Sequence, residues 1–206
     1  MELRGVKRRS WIPVAVLGAS LCVSLLVGTL LMASHLAFRA DEPALGRLAS
    51  RIGGAHRSWS AIHVLAAGCA CSRGVAEHLI ERGPLPNIQE SAVLVGHDAA
   101  VEGRLRSAKI QFTILTPDEA VSRYDLHGAP WLVFIAPGGD LRYAGGYSSE
   151  RNVRDGYQDV RIWDALRRGE AARALPAYGC ALGRRLQKRV DPLGLKYVRQ
   201  WGISKS

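Results

Sequence analysis

Two cysteines one residue apart, Cys69 and Cys71, are the side chains of this sequence best suited to chemistry. They follow the mostly apolar run 59–67, which is short enough to form a buried strand. Ser72 is a good N-cap, and the helical spacing of apolar residues up to Gly83-Pro84 predicts a helix beginning beside the thiols. Free N–H groups and the helix dipole at such a site lower a thiol pKa. The pair therefore indicates redox or metal chemistry.

The charge distribution argues against nucleic acid as a partner. The chain has 206 residues and a net charge of +10, of which residues 1–9 carry +3 and residues 161–206 carry +8, leaving −1 between them. A nucleic-acid-binding domain carries its basic and aromatic residues on the folded body. Here only the two ends are basic. The length fits one ordinary domain with appendages.

A long uncharged run near the N-terminus predicts a membrane anchor. Residues 10–38 contain no Asp, Glu, Lys or Arg, and a membrane-spanning helix needs about 20 apolar residues. The basic residues 1–9 stay in the cytoplasm by the charge bias of such proteins. A cleaved signal peptide would be shorter, and Phe38-Arg39-Ala40 is a poor cleavage site. We expect a single-pass protein of a bacterial-type cytoplasmic membrane, with its folded domain on the outer, periplasmic or extracellular, side.

The rest of the chain alternates between strand and helix patterns. Residues 39–57, with one Pro and three Gly, are predicted to be a tether with a short helix around residues 44–52, and the folded body to start near Ser58. The order β-α-β-α-β-α-β-β-α then predicts an α/β fold with a mixed sheet and helices on both faces. Trp131–Ala136 is the clearest strand pattern. Residues 181–190 are predicted to form a helix after a linker, which would place Cys180 at a second helix N-terminus.

Two stretches resemble the thioredoxin superfamily, most closely its membrane-anchored, TlpA-type branch of exported thiol-disulfide proteins. Residues 63–73 fall where that family has a strand, a Trp-Cys-X-X-Cys-Arg motif and a helix. Residues 115–146 include Tyr124 to Pro130, a strand and a hairpin partner, similar to the family's segment leading to a cis-proline and its terminal hairpin. The resemblance covers about residues 58–170 and implies a thioredoxin-like domain there. Residues 171–206 remain as a basic, helical C-terminal extension.

The resemblance also implies roles for individual residues. With Cys69 on the family's first, nucleophilic cysteine, Ser72 falls on its second cysteine and Arg73 on its arginine. Cys71 is then an additional thiol, which would resolve the disulfide. Pro130 would be cis, face the thiols and receive the chain of a protein partner.

Thiol–disulfide exchange with a protein thiol or disulfide partner is the function that this pattern favours, and it needs no cofactor. A disulfide within Cys-X-Cys closes a small, strained ring, and strained disulfides are the labile ones. Ser72, Arg73, Cys180 and His127 are candidate relay or pKa-modulating residues.

Two alternatives stay open at the level of sequence. One is a copper(I) chaperone or sensor in which Cys180 or His127 joins Cys69 and Cys71, because soft thiolates select Cu(I). The other is a catalytically idle thioredoxin-like scaffold. His63, in the strand before the thiols, is predicted to be a satisfied core histidine.

Overall fold

The computed structural model describes residues 11–33, 36–38, 42–52, 57–151, 153, 156–192, 194 and 197. Within them the helices are α1 (Ile12–Ala33), α2 (Glu42–Ile52), α3 (Ala70–Arg82), α4 (Ala99–Ser107), α5 (Pro117–Tyr124), α6 (Asp159–Arg167) and α7 (Arg184–Val190). The strands are β1 (Leu36–Phe38), β2 (Ser60–Ala66), β3 (Gln89–Val95), β4 (Gln111–Leu115), β5 (Gly128–Ala129), β6 (Trp131–Ile135), β7 (Leu141–Gly145) and β8 (Ala177–Ala181).

A five-stranded mixed sheet in the order β4-β3-β2-β6-β7 forms the centre of the domain. Strands β2, β3 and β4 are parallel to one another, whereas β6 runs antiparallel to both β2 and β7. Every residue of the central strand β2 is buried, which accounts for its nearly continuous apolar sequence. The predicted α/β fold with a mixed sheet is confirmed.

The side chains of the sheet alternate between two core clusters. Ile62 and Val64 of β2 belong to a cluster shared with α2 and α5, whereas Ala61 and Leu65 belong to one shared with α3, α4 and α6. This alternation follows the two-residue period of a strand. Helices therefore cover both faces of the sheet, as predicted.

Helix α2 confirms the short helix predicted around residues 44–52, but it is packed against the domain and does not belong to a tether. Its apolar side is buried, with Leu45 only 1% exposed and Leu48 fully enclosed. Both side chains pack in the same cluster as Ile62 of the central strand. A helix with one apolar face is stabilised by that packing, so the packed body includes residues before Ser58.

The C-terminal part differs from the predicted linker and helix. Strand β8 pairs antiparallel with β1 on one side and with β5 on the other, which forms a second, three-stranded sheet. Helix α7 begins only at Arg184. Cys180 therefore lies in a strand, and its predicted position at a helix N-terminus is wrong. The hydrogen-bonding partners that make this segment a strand come from distant parts of the chain.

Helix α1 covers most of the predicted anchor, residues 10–38. Its large apolar side chains are exposed, for example Leu17 at 72% and Leu21 at 61%. Over the part of the chain that the structure describes, no helix is long and apolar enough to cross a membrane. The predicted cytoplasmic tail, residues 1–9, lies outside the described residues.

A buried ion-pair network ties α3 to β3 and α6. Arg82 donates through Nε to Asp159 Oδ2 at 2.7 Å and through its terminal nitrogens to Glu90. The Asp159 side chain is fully buried and that of Glu90 is 8% exposed. Burial by itself would raise the pKa of Glu90, but hydrogen bonds from His63 and Arg82 outweigh it and lower the pKa to about 2. Burial likewise opposes ionisation of Asp159, but hydrogen bonds from His78 and Arg82 lower its pKa, so both carboxylates stay charged inside the protein.

His63 extends this network to the centre of the sheet. It is fully buried in β2, with Nε2 3.0 Å from Glu90 Oε1 and Nδ1 2.7 Å from Tyr147 Oη. Both ring nitrogens have partners, so the predicted satisfied core histidine is confirmed. The network links the charged cluster to Tyr147, beside the site described below.

Removing the cation of this network should strongly destabilise the domain. Arg82→Met leaves Glu90 and Asp159 as buried charges without their shared partner, so we expect the free energy of unfolding to fall by about 3–5 kcal/mol. Urea unfolding followed by tryptophan fluorescence measures it. The matched control is Arg104→Met, which breaks the exposed Arg104–Glu77 pair and should change stability by no more than about 1 kcal/mol. Similar losses in the two variants would contradict the prediction.

Candidate functional site

The Cys-X-Cys motif lies at the turn between β2 and α3. Gly68 takes a left-handed φ of 66° in this turn. Cys69 follows as the N-cap residue in extended conformation, and Ala70 starts the helix. The backbone N–H of Arg73 donates to the Cys69 carbonyl at 2.9 Å. Both motif cysteines are therefore at the beginning of α3, as predicted, with Cys71 in its first turn.

Ser72 is not the N-cap that its residue type suggests. It lies inside α3, it is 2% exposed, and its Oγ accepts a hydrogen bond from Ala66 N at 2.9 Å. Cys69 occupies the cap position without a side-chain cap hydrogen bond. The Ser72 hydroxyl instead fixes the end of β2 against the first turn of the helix, next to the thiols.

The Ala129–Pro130 peptide bond is cis, as the resemblance implied. Strand β5 ends at Ala129, and this residue is paired with Cys180 of β8. At Gly179 an added Cβ would lie against the carbonyl of Ala129 and 2.7 Å from Pro130 Cδ. The glycine thus allows β8 to approach the cis-proline closely. The backbone edge beside Pro130 is already used by this chain's own strand.

These elements bring three thiols together. Cys69 is 1% exposed and Cys180 is 3% exposed, and both lie in one core cluster against which Cys71 packs. None of the four cysteines of the chain forms a disulfide in this structure. The fourth, Cys22, belongs to α1. The structure thus joins the C-terminal extension to the motif through Cys180.

Cys69 is the thiol whose ionised form is stabilised. Hydrogen bonds from the Cys180 thiol, and then from the Cys71 thiol, lower the pKa of Cys69 against the opposing effect of burial, and the backbone and hydroxyl of Ser72 add to this. Such donors favour the charged form of an acid. These donors therefore favour ionisation at Cys69, although this is a buried position.

Cys71 is the motif cysteine with access to solvent. It is half-buried and lies at a cleft of about 60 Å³ that is also lined by Pro130. The resemblance implied the reactive contact at Cys69 and resolution by Cys71, but the exposure of the two side chains favours the reverse order. Side chains that complete this cleft include Val75, Tyr147, Tyr157, Pro176 and Tyr178.

Tyrosines around the thiols were missed by the sequence analysis. The hydroxyl of Tyr157 would lie 2.7 Å from a Cβ built at Gly74, so the helix carries a glycine where this ring approaches. Burial, and then the neighbouring Cys71, raise the pKa of Tyr157. Tyr197 accepts a hydrogen bond from Ala181 N at 3.0 Å, and burial raises its pKa to about 12. No local pattern marks either tyrosine, because each reaches the site from a loop.

Two other candidates lie apart from the thiol cluster. The His127 side chain is 51% exposed, and its Nε2 is 2.8 Å from Asp125 Oδ1. It lines a groove with α5 and α7, not the cleft of Cys71. The expected role of His127 as a thiol modulator or copper ligand is therefore not supported. The side chain of Arg73 is exposed on α3.

The described residues give the copper alternative no support. Among them, no group of three or more His, Cys, Asp or Glu side chains is arranged to hold a metal ion. The contacts around Cys69 are those of a thiolate receiving hydrogen bonds from its neighbours.

Comparisons with known proteins were made on sequence and on structure. No family model matches the chain, and no curated protein matches it. Among solved structures, a hypothetical protein from Sinorhizobium meliloti 1021 is 14% identical, with a TM-score of 0.47 over 73% of this chain and 91% of that chain. An uncharacterised conserved protein from Geobacillus kaustophilus is 15% identical, with a TM-score of 0.43 over 64% and 80%.

A third similar structure is a secreted disulfide oxidoreductase of Mycobacterium tuberculosis. It is 14% identical, with a TM-score of 0.32 over 43% of this chain and 69% of that chain.

The hydrogen bond from Cys180 should be measurable as a change in thiol ionisation. We expect Cys180→Ala to raise the pKa of Cys69 by about one unit or more, because a hydrogen bond to a charged group is worth about 1.5–3 kcal/mol. The ultraviolet absorbance of the thiolate, followed against pH in a Cys22→Ser, Cys71→Ser background, measures it. Cys180→Ser keeps a donor and should raise the pKa less. Equal pKa values in all three proteins would contradict the assignment.

Proposed function

We propose that this chain carries out thiol–disulfide exchange with a protein partner through Cys71 and Cys69. The observation that carries the proposal is that the two thiols differ in exposure and in the stability of their ionised forms. Cys71 is half-buried at a cleft beside the cis-proline Pro130. Cys69, which accepts a hydrogen bond from Cys71, is buried, and its thiolate is stabilised. One sulfur has access to a partner, and the other has the charge needed to resolve a mixed disulfide.

The exchange proceeds in two steps. The Cys71 sulfur attacks a disulfide of the partner and forms a mixed disulfide, and the partner sulfur that leaves takes up the proton that Cys71 gives up. The Cys69 thiolate then attacks the Cys71 sulfur, which forms a Cys69–Cys71 disulfide and releases the second partner sulfur. The partner disulfide is reduced by two electrons and the Cys pair is oxidised. The reverse steps oxidise a partner dithiol.

The partner would meet the site at the cleft and not through the backbone edge of β5. Cys180 already pairs with Ala129 on that edge. The cleft is instead walled by Pro130, Tyr147 and Tyr178. Pro130 therefore serves as one wall of the docking cleft.

Exchange should depend on both motif cysteines, but in different ways. Cys71→Ser should lower the rate of reduction of a protein disulfide by about 100-fold or more, because the accessible nucleophile is lost. Cys69→Ser should instead accumulate a mixed disulfide between Cys71 and the partner, detected by mass spectrometry.

The matched control for both variants is Cys22→Ser, which should exchange at the parent rate because Cys22 lies on α1. Full activity in Cys71→Ser, or trapping through Cys69 in that variant, would refute the proposed order. A parent chain without any exchange would favour an idle scaffold.

We also propose that residues 10–38 hold the domain at a bacterial-type cytoplasmic membrane, with the folded part on the outer side. Support comes from the uncharged run, the basic residues 1–9 and the exposed apolar surface of α1. A helix that is apolar all round requires burial in protein or lipid. The TlpA-type resemblance implies the same topology.

The basic C-terminal extension fits this arrangement. Only residues 34–35 separate α1 from β1, so about 11 Å of chain at most lies between the two elements. A groove of about 930 Å³ beside β1 is lined by Phe38 together with Arg184, Arg185 and Arg189. Arginines held close to a bilayer are attracted by anionic headgroups. The α7 side of the domain would therefore face the membrane.

Topology and attachment can be tested together in cells. A compartment-sensitive reporter fused after Ser206 should be active only on the outer side, and the fusion should stay with membranes after a high-salt wash. Leu21→Arg with Leu25→Arg places two charges in the apolar run and should release the chain from the membrane, because each charge costs about 2.5–3.5 kcal/mol there. Reporter activity only inside the cell, or no effect of the charges, would contradict the anchor.

A further inference from the structure

We propose that Cys180 is a third redox cysteine and that the oxidised domain rests with a Cys69–Cys180 disulfide. The inference rests on the proposed exchange function and specifies its oxidised state. The Cys180 thiol is in hydrogen-bonding contact with Cys69, and the two side chains are buried in the same cluster. A buried thiol placed against a thiolate is positioned for bond formation as well as for donation.

The position of Cys180 is fixed from several directions. Strand β8 is paired on both of its edges, by β1 and by β5, and Cys180 itself is paired with Ala129. On one side of Cys180 in sequence, Gly179 packs without room for a Cβ. On the other, Ala181 N donates to Tyr197 Oη at 3.0 Å. These contacts hold the Cys180 side chain in one position beside Cys69.

The two disulfides available to Cys69 differ in their strain and in the loops that they close. A Cys69–Cys71 bond closes a ring of three residues at the first turn of α3, and such strained disulfides are the more easily reduced. A Cys69–Cys180 bond joins residues 111 positions apart in the chain. The fold already holds Cys180 against Cys69, so this bond forms without closing a small ring. The equilibrium between the two bonds should therefore favour Cys69–Cys180.

The transfer between them needs no outside oxidant. The Cys180 sulfur attacks Cys69 in the Cys69–Cys71 disulfide, the Cys180 proton passes to the departing Cys71 sulfur, and the number of disulfides stays at one. Cys71 is returned as a thiol at the cleft. The oxidised domain can then open a second partner disulfide and be displaced by another thiol of the same partner. The substrate class that suits this state is a protein whose disulfides must be rearranged.

Disulfide mapping of the full-length Cys22→Ser chain tests the inference directly. The purified chain is equilibrated in glutathione redox buffers, alkylated, and mapped by peptide mass spectrometry. The expected oxidised form links Cys69 to Cys180 and carries the alkyl group on Cys71. A predominant Cys69–Cys71 link with Cys180 alkylated would overturn the inference. The mapping needs no change at Cys69, Cys71 or Cys180, so it does not depend on how variants fold.

Two further variants in the same background sharpen the test. Cys71→Ser should keep an internal disulfide with a glutathione midpoint close to that of the parent. Cys180→Ser is left with the small ring, and its equilibrium constant for oxidation by glutathione should fall by about tenfold or more. No internal disulfide in Cys71→Ser would also overturn the inference.

The exchange assay separates this inference from the function on which it rests. A parent chain that exchanges but maps to Cys69–Cys71 refutes only the role of Cys180. If the parent chain forms the Cys69–Cys180 disulfide but does not exchange with protein disulfides, the proposed function is refuted, and the assignment of that disulfide stands.

Discussion

The relative positions of α3, β3 and α6 depend on the positively charged side chain of Arg82. Two carboxylates, Glu90 and Asp159, are enclosed by α3, β3 and α6, and a buried charge without a partner is strongly unfavourable. The guanidinium can satisfy both only if these elements keep their spacing. Because α3 also begins with the thiols, the same contact fixes the far end of the helix that carries the motif. Through His63 it reaches Tyr147, which lines the cleft.

The thiol cluster depends on a second constraint, the three-stranded sheet β1-β8-β5. This sheet joins a segment before the central domain, residues 36–38, to one after it, residues 177–181. Its middle strand carries Cys180 and its edge strand leads into Pro130. Without the second sheet, the motif would contain a buried thiol, Cys69, and an accessible thiol, Cys71. The second sheet adds the strongest hydrogen-bond donor to Cys69, so the chemistry of the motif depends on both ends of the chain.

The sequence was informative where local chemistry decides the structure. Asp98 accepts from Val101 N at the start of α4, and Thr116 forms a capping box with Glu119 at the start of α5; acceptor residues of these types at these spacings are typical of helix N-termini. It failed where distant partners decide. Strand β8 has Gly and Ala in place of β-branched residues, and its identity as a strand comes from pairing with β1 and β5. The burial of α2 has the same cause, and so does the position of Ser72 inside α3 instead of at its N-cap. In both cases tertiary contacts overrode local preference.

Charge and access are divided between the two motif cysteines for a physical reason. A thiolate is best stabilised where fixed donors surround it, which requires burial, and Cys69 receives hydrogen bonds from Cys180, Cys71 and Ser72. A sulfur so enclosed cannot be approached by a large partner. A sulfur at the cleft can be approached, but it has fewer donors to hold a charge. Because one residue separates the two cysteines at the start of α3, Cys69 can be buried and Cys71 accessible while their sulfurs remain close enough to bond. The pair therefore acts as one reactive unit, and neither cysteine suffices alone.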